Sequence, residues 1–583
     1  MSTPPNFTNP EEVIKAFNEQ ASEVFGGFAS SQAQEMVKEF SQAWNSVASQ
    51  AMENPQEWLQ MMAQYQQEQL NLWGKLFNVN IEAVPGISKL EPERGDRRFS
   101  DKEWNENPIF DYIKQSYLLA SKSLNQWSEY AHLDDENKKK LEFYTKYFID
   151  AMSPTNFAVT NPEVMREAVD SKGQSLLNGL RNLLEDMSKG RITMTDESAF
   201  ELGKNIGASE GAVVYQNRMM QLIQYKPTTE KVSDRPLLIV PPSINKFYIL
   251  DLQPANSFVK YSVDQGNTVF LISWINPDES MKDICWDDYL EDGIIQATKV
   301  IQEITSAKKL NTVSWCVGGT LLTSALAVMH AKKIHTSIAS ATFFTTMLDF
   351  SDVGDLSVFI DEGQVAQREA QLKQSGILPG KDLSLAFSMI RANDLIWSYV
   401  VNNYLKGQNP APFDILYWNS DPTNLPANMY SDYLRNLYLE NKLIKSNALE
   451  MCGVPIDLTS IKTPSYFLST IDDHIAPWKS TFTGTELFSG NIEFVLGASG
   501  HIAGVINPPA KNKRNYWHGG ELGKGADQWL ETAKSEKGSW WNHWTAWLKK
   551  RGGTEVDAPT ALGSDKYKEV EAAPGSYVKK RIV

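Results

Sequence analysis

The stretch Ser314-Trp315-Cys316-Val317-Gly318-Gly319-Thr320 limits the folds open to this chain more than any other. It joins a short β-like run, Asn311-Thr312-Val313, to a helix-like run from Leu321 to His330. A strand that passes into a helix through one sharp turn needs small residues on either side of the turn. Ser314 and Gly318 stand two positions before and after Cys316. Such a turn belongs in a chain whose strands and helices alternate and whose strands lie parallel.

That alternation runs from about Gly207 onward. Val213-Val214-Tyr215 and Leu222 to Tyr225 read as an opening strand pair. Leu237 to Val240 is a buried strand ending at Pro241-Pro242, and Thr268 to Trp274 is the next. Ile294, Ile295, Val300, Ile301 and Ile304 follow at helical spacing. Ile338 to Phe344, Ser465 to Leu468 and Ile492 to Leu496 supply three more strands. The pattern implies a mostly parallel sheet flanked by helices. Residues 350–445 break the rhythm, being helical and aromatic (Phe387, Trp397, Tyr399, Tyr404, Phe413, Tyr417, Trp418) and lying between two sheet strands. They are expected to form an inserted, mobile cap over the end of the sheet. Trp540, Trp541, Trp544 and Trp547 mark a late helix, and a polar tail runs from Gly552 to Val583.

The first part of the chain has a different texture. Asn54-Pro55-Gln56-Glu57 reads as a helix cap with proline at the first helical position. Trp58, Met62, Tyr65, Leu72 and Leu76 follow at helical spacing, as do Met36, Phe40, Trp44 and Val47 one segment earlier. These helices either pack on the rest of the protein or meet a partner or an apolar surface. Residues 78–108, rich in Pro, Gly and charge, read as a linker or irregular loop. At 583 residues the chain exceeds one ordinary core. Two domains are expected, a helical one over 1–205 and a catalytic one over 206–583. The formal charge of −15 argues against a general nucleic-acid binder. Three cysteines make no disulfide framework, which suits a reducing compartment. The first residues lack the basic and apolar regions of a secretion signal. No apolar run reaches the length of a transmembrane helix. A cytoplasmic protein is expected.

A nucleophile in x-x-Nuc-x-G spacing between strand and helix is the nucleophile elbow of the α/β-hydrolase fold. Cys316 would stand over the carboxyl edge of the sheet, with the following helix pointing N–H groups at its sulfur, which favours the thiolate. The fold demands an acid after a late strand and a histidine after the last one. Asp472-Asp473-His474 follows Ser465 to Leu468, and Gly500-His501 follows Ile492 to Leu496. The expected set is therefore Cys316 as nucleophile, His501 as base and Asp473 as its orienting acid. Oxyanion donors are expected at the N–H of Val317 and, from the loop after Leu237 to Val240, at the N–H of Ile244. Asp472, Asp473 and His474 could be imagined as metal ligands, but no second histidine has ligand spacing, so no metal is expected. Cys285 and Cys452 read as inert thiols. His132, His330, His335, His518 and His543 read as surface or core residues.

A cysteine at the elbow forms a thioester acyl-enzyme. Exchange with a thioester substrate is then nearly neutral in energy, and the acyl group stays activated for transfer to an alcohol. Pro241-Pro242-Ser243-Ile244-Asn245-Lys246-Phe247-Tyr248-Ile249-Leu250-Asp251-Leu252 is similar to a motif of the poly(3-hydroxyalkanoate) synthases. So are Ser273-Trp274, Trp286-Asp287-Asp288-Tyr289, Arg391 to Trp397, Phe413 to Asn419, Gly500 to Pro509 and Ala573 to Val578. The resemblance runs from about residue 100 to the C-terminus. It implies that Cys316, Asp473 and His501 are the catalytic set, with (R)-3-hydroxyacyl-CoA as substrate and no cofactor. It implies release of CoA, a polyester extended at the hydroxyl of each incoming unit, and a class I enzyme preferring short units such as 3-hydroxybutyryl. It further implies a homodimer through the cap, seated on cytoplasmic polyester granules. Ser243 and Ser314 depart from the family's usual residues. Two other readings stand beside this one: a cysteine-elbow hydrolase of the thioesterase or dienelactone type, and a granule-coating protein without activity.

Overall fold

In the computed structural model, residues 55–77, 89–93 and 95–582 are described, with scattered helical positions between 41 and 53. Met36, Phe40, Asn54 and residues 78–88 of the expected linker lie outside the described residues. Two compact units are formed. One takes the described residues up to Met194 together with Ala386–Ala411; the other takes Thr195–Leu385 and the chain from Pro412 onward.

The second unit is built on an eleven-stranded sheet. Its strands are β1 (Gly211–Gln216), β2 (Met220–Tyr225), β3 (Leu237–Val240), β4 (Val269–Trp274), β5 (Leu310–Trp315), β6 (Ile338–Phe344), β7 (Ser465–Thr470), β8 (Ile492–Gly497), β9 (Asn515–His518), β10 (Lys534–Lys537) and β11 (Glu571–Ala572). Their spatial order is β10-β9-β8-β7-β6-β5-β3-β4-β2-β1-β11. The six central strands, β8 to β4 in that order, pair in parallel, and the strands on both flanks pair antiparallel. Helices cover both faces, so the central strands are buried on both sides and read as continuous apolar runs. Alternate residues serve two cores: Leu238 and Val240 enter one, Leu237 and Ile239 the other. Ile239 pairs with Val313 and Val313 with Thr342, which places the ends of β3, β5 and β6 at one edge of the sheet.

The polar tail is part of this architecture. β11 pairs with β1 through Ala212 and Ala572. Beyond it, the buried ammonium of Lys246 donates to the carbonyls of Val578 (3.0 Å) and Lys580 (2.6 Å). Backbone pairing, the buried Lys246 ammonium and the buried apolar side chain of Val578 help hold the tail, which leaves little apolar signal in a sequence.

The expected cap divides. Of residues 350–445, 350–385 and 412–445 belong to the sheet unit, while Ala386–Ala411 belongs to the helical unit. Trp418 is buried and its indole N–H donates to the Lys246 carbonyl at 2.7 Å. Tyr417 packs on Phe200 and under the Arg581 guanidinium. Both aromatics are core, whereas Phe413 is exposed.

The helical unit contains α1 (Pro55–Leu76), α2 (Pro108–Tyr130), α3 (Asp135–Ala151) and α4 (Gln174–Lys189). Trp58, Met62 and Leu72 of α1 face inward at the expected spacing. Arg98 ties the unit together through Asp96, Asp150 and Asn393. α4 is turned inside out. It buries Ser175, Gly179 and Asp186 and exposes Leu177, Leu180, Leu184 and Met187, the last to 68%. A Cβ at Gly179 would lie 1.8 Å from the Tyr404 carbonyl oxygen, so only glycine permits this approach. Asp186 is held from below by Thr193 and the Tyr404 hydroxyl.

Candidate active site

Cys316 lies between β5 and α5 (Val317–Ala331) with φ 52° and ψ −128°. A non-glycine residue in that conformation is strained. Three contacts hold it. The Cys316 N–H donates to the Phe344 carbonyl of β6 at 2.9 Å. The Cys316 carbonyl accepts from Gly319 N at 2.8 Å. Ser314, fully buried, donates its hydroxyl to the Thr342 carbonyl at 2.9 Å. Serine at this position is therefore tied into the sheet by a hydrogen bond that glycine could not make. At Gly318 a Cβ would meet the carbonyl oxygens of Val240 and Pro241 at 2.6 Å each. The elbow helix packs that closely on the end of β3, so Gly318 is required by proximity. Val317 occupies the first helical position after the sulfur.

The loops after β7 and β8 bring in the other two groups. His501 and Asp473 are both buried, and the imidazole Nδ1 donates to Asp473 Oδ2 at 2.7 Å. Asp473 Oδ1 accepts from the backbone N–H groups of Ile475 (2.9 Å) and Ala476 (2.8 Å). Its Oδ2, which meets the histidine, also accepts from the Thr470 hydroxyl at 3.3 Å. Asp472 is exposed, which separates the two adjacent acids clearly. Ser499, at φ 80°, turns the chain toward His501. Burial pushes the His501 imidazole down, but the Asp473 carboxylate and the Cys316 sulfur outweigh burial and raise it from 6.5 to about 10. Cys316, His501 and Asp473 therefore meet in one site, with the imidazole facing sulfur and carboxylate.

Ile244 is half-buried against the core, and its carbonyl accepts from Thr423 N at 3.0 Å. A bridge between Asn245 and Pro422 holds the same loop. Among the described residues, Ser243 Oγ and Asn245 Oδ1, on either side of Ile244, are buried with no hydrogen-bond partner. Buried polar atoms of this kind are costly unless something satisfies them.

Two residues that sequence reasoning did not single out stand near the sulfur. The phenols of Tyr433 and Tyr438 are pushed up by burial and also feel the Cys316 charge. Tyr433 stacks on Trp286 and meets Phe350 edge-on. Nothing in their spacing sets them apart from the other aromatics of residues 350–445. The other two thiols differ from Cys316. Burial and then Asp288 push Cys285 up, and burial with Asp287 and Glu291 pushes Cys452 to about 12.

Residues 95–262 match the family model described as the poly-beta-hydroxybutyrate polymerase (PhaC) N-terminus, and residues 236–508 match the alpha/beta hydrolase fold. The chain is 49% identical over 489 residues to a Cupriavidus necator protein named poly(3-hydroxyalkanoate) polymerase subunit PhaC, covering 83% of each chain. A Rhizobium meliloti protein of the same name is 45% identical, over 90% of this chain and 87% of its own. A Methylorubrum extorquens protein named poly(3-hydroxyalkanoate) polymerase is 42% identical, over 93% and 90%. The fold is the α/β-hydrolase fold, with a mostly parallel central sheet and a helical N-terminal region. Among the described residues, no helix is long and apolar enough to cross a membrane.

Proposed function

The chain belongs to the poly(3-hydroxyalkanoate) polymerase family of acyltransferases, and we propose that it polymerises (R)-3-hydroxyacyl-CoA through a thioester on Cys316. The observation that carries this reading is the His501–Asp473 pair facing a strained elbow cysteine.

The Cys316 thiolate attacks the thioester carbonyl of the substrate. Negative charge gathers on the carbonyl oxygen, where the N–H of Val317 and the N–H of Ile244 serve as donors. The bond to CoA sulfur breaks, His501 gives its proton to the departing thiolate, and the acyl group is left on Cys316. Neutral His501 then takes the proton from the 3-hydroxyl of the next substrate as that oxygen attacks the Cys316 thioester. An ester forms, the Cys316 sulfur is released, and the longer chain is carried on CoA. Attack by Cys316 on that thioester returns the chain to the enzyme and frees CoA. Asp473 holds the His501 tautomer and balances the imidazolium. CoA is the leaving group of the substrate, so this route uses no cofactor. Tyr433 and Tyr438 serve as part of the water-excluding wall a thioester intermediate needs.

The leucine face of α4 supports attachment to the polyester surface, since an exposed apolar stripe on a helix with a polar buried face suits an apolar support. Short side chains, homodimerisation and residence on granules follow from the family resemblance. Sedimentation with and without a substrate analogue tests the dimer.

Purified protein with 3-hydroxybutyryl-CoA should release CoA and form insoluble polymer. Free 3-hydroxybutyrate in place of polymer would make the chain a hydrolase, and no CoA release would make it a coat protein.

A further inference from the structure

The amino end of β8 gathers a cluster that the proposed chemistry leaves unused. Glu493 of β8, His518 of β9 and His543 of α6 (Trp540–Lys549) each offer one ligand atom, and the three atoms lie within 4.8 Å of one another. The geometry points to a site for one divalent transition-metal ion of the zinc class, held by Glu493, His518 and His543.

The groups around these three residues are arranged as a metal site needs. A ligating histidine is oriented by what its second ring nitrogen bonds to. His543 Nδ1 lies 3.2 Å from the Tyr466 hydroxyl, which leaves Nε2 toward Glu493 at 3.8 Å. His518 Nε2 lies 3.0 Å from Glu536 Oε1, and the other oxygen of that carboxylate accepts from Tyr516. Each imidazole therefore has its own outer partner. The two rings are 4.7 Å apart between centroids, so two imidazolium charges would repel strongly. Tetrahedral zinc ligands about 2.0–2.1 Å from the ion lie about 3.4 Å apart, so side-chain rotation of roughly 1 Å closes the cluster. Two imidazoles with one carboxylate favour zinc-class ions over calcium or magnesium. Lys550 and Arg551 border the cluster, so it is not a bare acidic patch that would collect any cation.

Glu493 is the second residue of β8 and His501 follows its far end, so about 13 Å of strand separates the cluster from the catalytic edge. The link between them is α6. Trp540 and Trp541 donate to the carbonyls of Gly504 and Val505, just behind His501, at 3.0 and 2.9 Å. An ion on His543 would fasten that helix to β8 and β9 and stiffen the His501 loop from behind. An ion bound to the folded state alone also raises the melting temperature.

Cobalt(II) titration of the full-length protein, with zinc competition and thermal melting, tests the site. One cobalt per chain should appear with visible d–d bands, be displaced by zinc, and raise the melting temperature. His543→Ala should abolish the bands, and Glu493→Gln, which preserves side-chain shape, should weaken cobalt at least tenfold. Cys316→Ala and His335→Ala should bind as the wild type does. No cobalt binding by folded wild-type protein, binding unchanged in both His543→Ala and Glu493→Gln, or loss in Cys316→Ala would each overturn the assignment.

Discussion

Cys316 and Cys452 both hold a left-handed backbone, at φ 52° and 51°, and both are half-buried free thiols. Their surroundings differ. Cys452 turns the small hairpin that pairs Glu450–Met451 with Val454–Pro455. Its N–H donates to Asp287 Oδ2 at 2.8 Å, and burial with Asp287 and Glu291 pushes its thiol up to about 12. Cys316 ends a parallel strand, begins a fifteen-residue helix and faces a histidine that carboxylate and sulfur together raise to about 10. A strained backbone aims a side chain, but the charges around it decide whether a sulfur can be a nucleophile.

Replacing each sulfur has the largest expected effect. Cys316→Ala should abolish CoA release and polymer formation, and Cys316→Ser should be close to inactive. Cys452→Ala and Cys285→Ala should keep most activity. A CoA-release assay on the four variants decides this, and loss of activity in Cys452→Ala would remove the distinction. Next in size, His501→Ala should slow CoA release by about 10²–10⁴. Asp473→Asn should cost less in the first acylation than in elongation, and Asp472→Asn should cost little, because Asp472 is exposed. Rapid-quench kinetics with one and with many equivalents of substrate separates the two steps.

Gly318→Ala probes the backbone beside Cys316. Its methyl meets two carbonyl oxygens at 2.6 Å, so a loss of about 1–3 kcal/mol in stability is expected, together with lost activity. Among the described residues, none but its chain neighbours lies within 4 Å of a Cβ at Gly453, beside Cys452, so Gly453→Ala should cost only the strain of its φ of 73°. Thermal melts of the two variants compare the sites.

The smallest expected effect is in pH dependence. His501 is raised from 6.5 to about 10, so its contribution to stability is complete below pH 6.5 and is lost as pH rises through about 10. NMR titration should find His501 protonated at neutral pH. Cys316→Ala should lower its midpoint by removing one of the two charges that hold the proton.

Much of this was legible in the sequence because the chemistry demands local signals. The elbow needs a small residue on either side of Cys316, and parallel strands buried on both faces must be short apolar runs. Asp473 and His501 had to follow the last such runs. Other features carry no local signal. Glu571–Ala572 joins the sheet through backbone pairing with β1 and a hydrogen bond from the Gln221 side chain to the Glu571 carboxylate. Ala386–Ala411 joins the helical unit through contacts such as Asn393 with Arg98, 295 residues apart in the chain. Tyr433 and Tyr438 differ from neighbouring aromatics only in their nearness to Cys316. His518 and His543, read as ordinary histidines, come together only because β9 folds back beside β8 and α6 packs under both.

The most direct test of the central claim is to locate the acyl group. The protein is mixed with a single equivalent of 3-hydroxybutyryl-CoA, quenched in acid and mapped by peptide mass spectrometry. One CoA should be released per acylated chain, and a hydroxylamine-labile 3-hydroxybutyryl group should appear on the peptide containing Cys316. The same group on the Cys285 or Cys452 peptide, or release of CoA with free acid and no acylated peptide at any time, would contradict it.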